Sequence, residues 1–167
     1  RFFERNCGVI AMNNKISTFS SVFLLSLVPA LCAAKDYPVA DFSEYQQVVG
    51  DLAPGDRVLL QDGVWRDVEF VFTGRGTKAK PITLAAANPG KAIISGRSNL
   101  KLAGEHLVVR GLVFKDGYTP SDAVISFRTD KPENPSDYST IAVNTRLTEV
   151  VIDDFSNPDR YETDYWL

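Results

Sequence analysis

From residue 41 to residue 52 the apolar positions Tyr45, Val48, Val49 and Leu52 recur at helical spacing, with polar residues between them. The pattern predicts a short amphipathic helix over 41–52. Asp41, with Glu44 three residues on, has the form of a capping box, in which side chains meet backbone N–H groups that the first turn leaves unpaired. Pro54-Gly55-Asp56 then supplies turn chemistry. Beyond it the period changes. Short apolar and β-branched runs at 57–61, 64–72, 82–87, 92–95, 100–103, 107–114, 124–127, 140–143 and 149–152 are separated by Gly, Pro, Asn and Asp. They predict strands joined by tight turns, with no second helix.

Strands this short build a sandwich, a barrel or a solenoid, and a repeat decides among them. Leu59, Leu84 and Val109 recur 25 residues apart, each inside an apolar triplet. One coil of a parallel β-helix takes about that many residues, each coil stacking on the last. The triplets also lack the in/out alternation of an antiparallel sheet with one wet face. An amphipathic helix ahead of the first coil would cover the open end of such a solenoid and its unpaired strand edge.

Composition narrows the class. The chain has 167 residues, 44% of them hydrophobic, enough for one domain with a core. The formal charge is −3; residues 1–34 contribute +2, so the remainder carries −5. An acidic surface argues against nucleic acid and anionic membranes as partners, because both need a basic footprint. Met12, Asn13, Asn14 and Lys15 precede a mainly apolar run at 19–31 and the small residues Cys32, Ala33 and Ala34, the order of a secretory signal peptide. The run is shorter than the roughly 20 residues of a membrane span. Leu31 stands where a small residue would precede a lipidated cysteine, so the reading is export to the periplasm or beyond, without a membrane anchor. The expected organisation is 1–11 as upstream or fragment-boundary residues, 12–34 as signal peptide and 35–167 as the β-rich domain. Cys7 and Cys32 both precede residue 35, which leaves the domain no disulfide and no thiolate metal site.

Several segments carry a family resemblance. They are Pro54-Gly55-Asp56-Arg57-Val58-Leu59-Leu60 with Asp62-Gly63-Val64-Trp65, Gly74-Arg75-Gly76-Thr77 with Lys80-Pro81-Ile82-Thr83-Leu84, and Asn88-Pro89-Gly90-Lys91. Further on come Ser95-Gly96-Arg97-Ser98-Asn99-Leu100, the stretch from Leu107 to Phe114, and Thr145-Arg146-Leu147-Thr148 ahead of Tyr165-Trp166. From Tyr37 onward the chain resembles the amino-terminal part of polysaccharide lyase family six, the alginate lyases and chondroitinase B. The resemblance implies an all-β, right-handed parallel β-helix, a single-stranded solenoid with a short N-terminal capping helix, here truncated. It implies β-elimination on an acidic polysaccharide: the uronate carboxylate is neutralised, a base removes the proton on carbon five, and the glycosidic oxygen leaves carbon four. Calcium, a lysine base and an arginine acid belong to that chemistry. In the family they lie on coils that follow the tryptophan-containing segment, and no position here matches them. No catalytic residue or metal ligand is therefore carried over, and a chain with scaffold but without the catalytic half is expected to be inactive alone. Alginate rich in mannuronate is the expected polymer, and dermatan sulfate, as for chondroitinase B, is the alternative. A non-catalytic carbohydrate-binding β-helix or adhesin, and a pectinase-like hydrolase with clustered aspartates, are the rival classes.

Arg128 and Arg146 follow strand-like runs and are the candidate substrate-binding residues, because a guanidinium fork matches a carboxylate. Ordinary turn or coil-to-coil salt bridges are the competing role for both. His106 reads as a turn residue rather than a base, and the oxygen-rich stretch 153–159 as a solvated loop, since it lacks calcium-loop spacing. Gly74-Arg75-Gly76 has no Gly-Lys-Ser/Thr after it and is no phosphate loop. Trp65 and Phe70 read as core.

Overall fold

The computed structural model describes residues 34–129 and 140–159. The signal-peptide segment up to residue 33 and the Tyr165-Trp166 motif lie outside the described residues. In order, the chain forms β1 (Asp36–Val39), α1 (Phe42–Val48) with a 3-10 turn (Val49–Asp51), β2 (Arg57–Leu60), β3 (Gly63–Arg66), β4 (Glu69–Arg75) and β5 (Ile82–Ala86). It continues through β6 (Ala92–Arg97), β7 (Asn99–Glu105), β8 (Leu107–Arg110), β9 (Leu112–Tyr118), β10 (Ile125–Ser126), β11 (Ala142–Val143), β12 (Arg146–Thr148) and β13 (Val151–Phe155).

Every strand pairing is parallel, and the strands fall in three different sheets. Sheet A has the order β1-β2-β5-β8-β12, sheet B the order β13-β9-β6-β3, and in sheet C β7 is flanked by β4 on one side and by β10 and β11 on the other. The coils β2-β3-β4 and β5-β6-β7 each contribute one strand to each sheet, and the third coil contributes β8, β9 and the pair β10 and β11, which is a right-handed parallel β-helix. Tight corners make this path. Asp67, between β3 and β4, Gly96, Asp116 and Asp154, near the ends of the sheet B strands β6, β9 and β13, and His106 and Asn144, between C and A, all have positive φ. Asx residues and glycine tolerate that conformation better than other residues.

The interior is a set of stacked columns. Val58, Leu84, Val109 and Leu147 are in register on sheet A, Trp65, Ile94, Phe114 and Ile152 on sheet B, and Phe70, Leu100 and Ile125 on sheet C. Phe70, Leu84, Ile94, Leu100, Val109 and Phe114 are fully buried. Burying a side chain of this size is worth about 1.5–3 kcal/mol.

This register corrects three expectations. Leu59 pairs with Ala85 and faces outward, half-buried; the inward residue beneath Leu84 is Val58, so the first step of the repeat is one residue longer than the next. Because side chains alternate along a strand, that single residue moves Leu59 to the other face. The triplets do alternate: β2 and β8 bury every second residue, as a sheet with one dry face requires. The runs at 64–72 and 107–114 are each two strands, broken by the positive-φ corner residue Asp67 and by Gly111.

The third coil is longer. Val108 pairs with Arg146, 38 residues on, because the chain leaves sheet C after Ser126 and returns at Ala142 through a stem closed by the Arg128–Ile141 antiparallel bridge. At the opposite end, α1 covers the first coil. The Asp41 carboxylate accepts from the Glu44 N–H at 2.9 Å, as a cap should, while Glu44 accepts from the Ala40 N–H at 2.7 Å, one residue before the position of the standard capping box. Tyr45 is buried edge-on against Phe70, with Phe42 stacked on Tyr45. Its hydroxyl donates to the Val71 carbonyl at 2.8 Å, satisfying an acceptor on the first strand of sheet C. Among the described residues no helix is long and apolar enough to cross a membrane.

Candidate functional site

Residues flanking the inward column of sheet A point outward and build a groove of about 790 Å³. One outward row runs Arg57, Thr83, Val108 and Arg146; the next runs Leu59, Ala85, Arg110 and Thr148. Small side chains therefore form the floor, with arginines towards both ends. Turn residues, among them Pro81 and Pro89, complete the lining.

Two of the arginines are held by exposed carboxylates. Arg57 donates to both oxygens of Asp36, from Nε at 2.7 Å and Nη2 at 2.6 Å. Arg110 donates to Glu149 from Nε at 2.8 Å and, less closely, from Nη2 at 3.3 Å. The hydrogen bonds from these guanidinium groups hold the Asp36 and Glu149 carboxyls below their ordinary range, and the same bonds raise Arg57 and Arg110. Arg146 is exposed and makes no ion pair among the described residues.

Arg128 lies elsewhere. It is exposed at the stem of the long third coil, beside a shallow depression of about 210 Å³ on sheet C that Lys101, Ser121 and Ser126 also line. The two arginines picked out by the sequence therefore sit on different faces of the solenoid and do not share a site. Sequence reasoning missed Arg57 and Arg110 as partners of Arg146; the signal was their place one residue before Val58 and one after Val109 in the inward column.

The other candidates settle into structural roles. His106 occupies a corner at φ 52°, with Nε2 3.6 Å from Glu105 Oε1. Asp153 and Asp154 belong to β13 rather than to a loop, and Asp153 accepts from Lys115 at 2.8 Å. Asn157 accepts from the Asp159 N–H at 3.0 Å, an Asx turn. Gly76 is buried and its N–H donates to the Glu105 carbonyl, so Gly74-Arg75-Gly76 is a sheet end and not a phosphate cradle. Trp65 and Phe70 are core residues. Among the described residues no group of three or more His, Cys, Asp or Glu side chains is placed to hold a metal ion.

A coiled path through three parallel sheets, with an open arginine-bearing groove on one outer face, defines a parallel β-helix protein. The chondroitinase B family model matches residues 39–167. The structure is similar to that of the family six alginate lyase AlyGC, with a TM-score of 0.72 and 48% identity over 78% of this chain and 17% of that one. It is also similar to a mannuronic acid specific family six lyase from human gut microbiota, with a TM-score of 0.68 and 35% identity over 78% of this chain and 30% of that one. A third relative is a family six polysaccharide lyase from Pseudopedobacter saltans, with a TM-score of 0.66 and 35% identity, covering 78% and 27% of the two chains. No curated protein matches significantly in sequence. The chain belongs to polysaccharide lyase family six, the group of alginate lyases and chondroitinase B. It spans less than a third of the length of these solved relatives.

Proposed function

We propose that this chain forms the opening coils of a secreted or periplasmic lyase that cleaves an acidic polysaccharide by β-elimination, with mannuronate-rich alginate as substrate. The observation that carries the reading is the 48% identity to an alginate lyase across 78% of the chain, on the same fold. Residues 12–34 act in this reading as the export signal and 35–167 as the first part of the lyase domain.

Elimination needs the substrate carboxylate neutralised before the neighbouring proton is removed. Arg128 and Arg146, on different faces, each offer a forked donor that fits a uronate carboxylate. Calcium, which the family resemblance implies, does not fit the described residues, because they bring no ligand cluster together. No step is assigned to calcium or to a base within them.

The match to the chondroitinase B family model supports a second polymer, dermatan sulfate. Incubating the full-length protein with polymannuronate, with dermatan sulfate and with a neutral glucan separates the readings. Ultraviolet absorbance from unsaturated uronate ends should rise with polymannuronate. A rise only with dermatan sulfate moves the assignment to that polymer, and no rise with either acidic polymer, from protein shown to be folded, overturns the lyase reading.

A further inference from the structure

The groove on sheet A has a shape and a charge layout that point to a particular occupant. Its two outward rows run across β2, β5, β8 and β12, perpendicular to the strands. Neighbouring strands lie about 4.8 Å apart, so Arg57 and Arg146 stand roughly 14 Å from one another along the solenoid axis. One strand spacing is comparable to the advance of one 1,4-linked pyranose ring in an extended chain. Thr83, Ala85 and Val108 keep the floor between the arginines low, which leaves room for rings to lie on it. Arg110 pairs across from Thr148, and Arg146 from Val108, which places the two arginines diagonally on adjacent strands. That end has two guanidinium groups and one carboxylate, Glu149. It keeps a net positive charge on a chain whose formal charge is −3.

We propose that this groove binds a single strand of an acidic polysaccharide laid along the solenoid axis, with uronate carboxylates met by Arg146 and Arg110 at one end and by Arg57 at the other. The class of ligand rests on the lyase reading above; the position and direction of the strand rest on the groove. Arg57 and Arg110 are already oriented by their fork-shaped bonds to Asp36 and Glu149. Those pairs are exposed, so sharing or exchanging the carboxylate costs little. Glu149 offsets part of the positive charge, which makes the site modest in affinity and sensitive to salt.

The test is retardation of the full-length protein in cold native gels containing polymannuronate, relative to polymer-free gels, for wild type, Arg146→Ala, Arg146→Lys and the double variant Arg110→Ala/Arg146→Ala. All of these side chains are exposed, and circular dichroism checks that each variant folds. The double variant should bind about tenfold more weakly, the loss expected when a charge-assisted hydrogen bond goes. Arg146→Lys should lie between wild type and Arg146→Ala, added salt should weaken the wild type, and dextran should retard none of them. If wild type cleaves polymannuronate and the variants are retarded as it is, the groove assignment falls and the lyase reading stands. If wild type neither cleaves the polymer nor is retarded by it, both fall.

Discussion

Asp56 carries more of the fold than its place in a Pro-Gly-Asp turn suggests. It is 4% exposed, and its two carboxylate oxygens accept from the Lys35 N–H and the Ala53 N–H, both at 2.9 Å. One side chain thus ties the start of β1 to the turn that enters β2. Hydrogen bonds to a charged group are worth about 1.5–3 kcal/mol each, and removing the acceptor leaves both part-buried donors without it. Asp56→Ala should lower unfolding free energy by about 3 kcal/mol, seen as a lower urea midpoint with an unchanged slope. Gly104 is constrained by backbone instead. Its φ is 115°, and a Cβ there would run into the Gly74 carbonyl of the coil beneath. Gly104→Ala should cost about 2–3 kcal/mol in the same measurement, and a neutral result would show that β4 and β7 do not pack as closely as described. Little of this was legible in the sequence, which shows that Asp56 and Gly104 sit near turns but not what they touch. Gly104's contact with Gly74 and Asp56's bond to Lys35 arise between residues far apart in the chain; only the bond to Ala53 is local. Arg146 stands out in the sequence as a guanidinium after a strand-like run, whose fork matches a carboxylate; in the structure it opens β12.

Among the elements, the cap helix was the most legible, since its period, its Asp41 cap and its buried Tyr45 are all local to one stretch of chain. The less legible elements are those defined by their neighbours. β1 has only four residues and is a strand because β2 pairs with it, and β12 has three residues and depends on β8 in the same way. Tyr45 gives the helix a pH signature. Burial pushes its phenol well above its ordinary value of 10.0. In the unfolded chain the phenol ionises near that ordinary value, while in the fold it stays protonated, so the unfolded state alone gains from high pH. The stability this group contributes is complete below about pH 10 and is lost as pH rises beyond it, with a limiting slope of about 1.4 kcal/mol per pH unit. Tyr45→Phe should lose about 1 kcal/mol at neutral pH, with its bond to the Val71 carbonyl, and should flatten the alkaline decline by that one-proton slope. Thermal melts between neutral and strongly alkaline pH decide it; an unchanged alkaline decline would mean that Tyr45 is not sealed under the helix.

The described coils form a quasi-one-dimensional stack, and that explains both what the sequence disclosed and what it concealed. A coil length near 25 residues was visible in the apolar triplets, yet counting from Leu59 puts the first coil one residue out of phase. Counting from Val58 through Leu84, Val109 and Leu147 instead brings Arg57, Arg110 and Arg146 to the outer face at once. The excursion between Ser126 and Ala142 breaks the period in the third coil, so no fixed spacing alone leads to β12. Because each coil touches only its neighbours, stability should vary along the axis. β5, β6, β8 and β9 have partner strands on both sides, and β7 is flanked on both sides too. β4 pairs with β7 on one side and receives the hydroxyl of Tyr45 at Val71. Among the described residues, β12 and β13 pair on one side only. In a polypeptide of these 167 residues, amide hydrogen exchange should be slowest in β5 to β9, intermediate in β4 under the helix, and fastest in β12 and β13. Protection in β13 equal to that in β6 would overturn this gradient and show that the β13 edge is covered, as a second copy of the chain would cover it. Sedimentation of the same polypeptide checks this, since a second copy raises its mass.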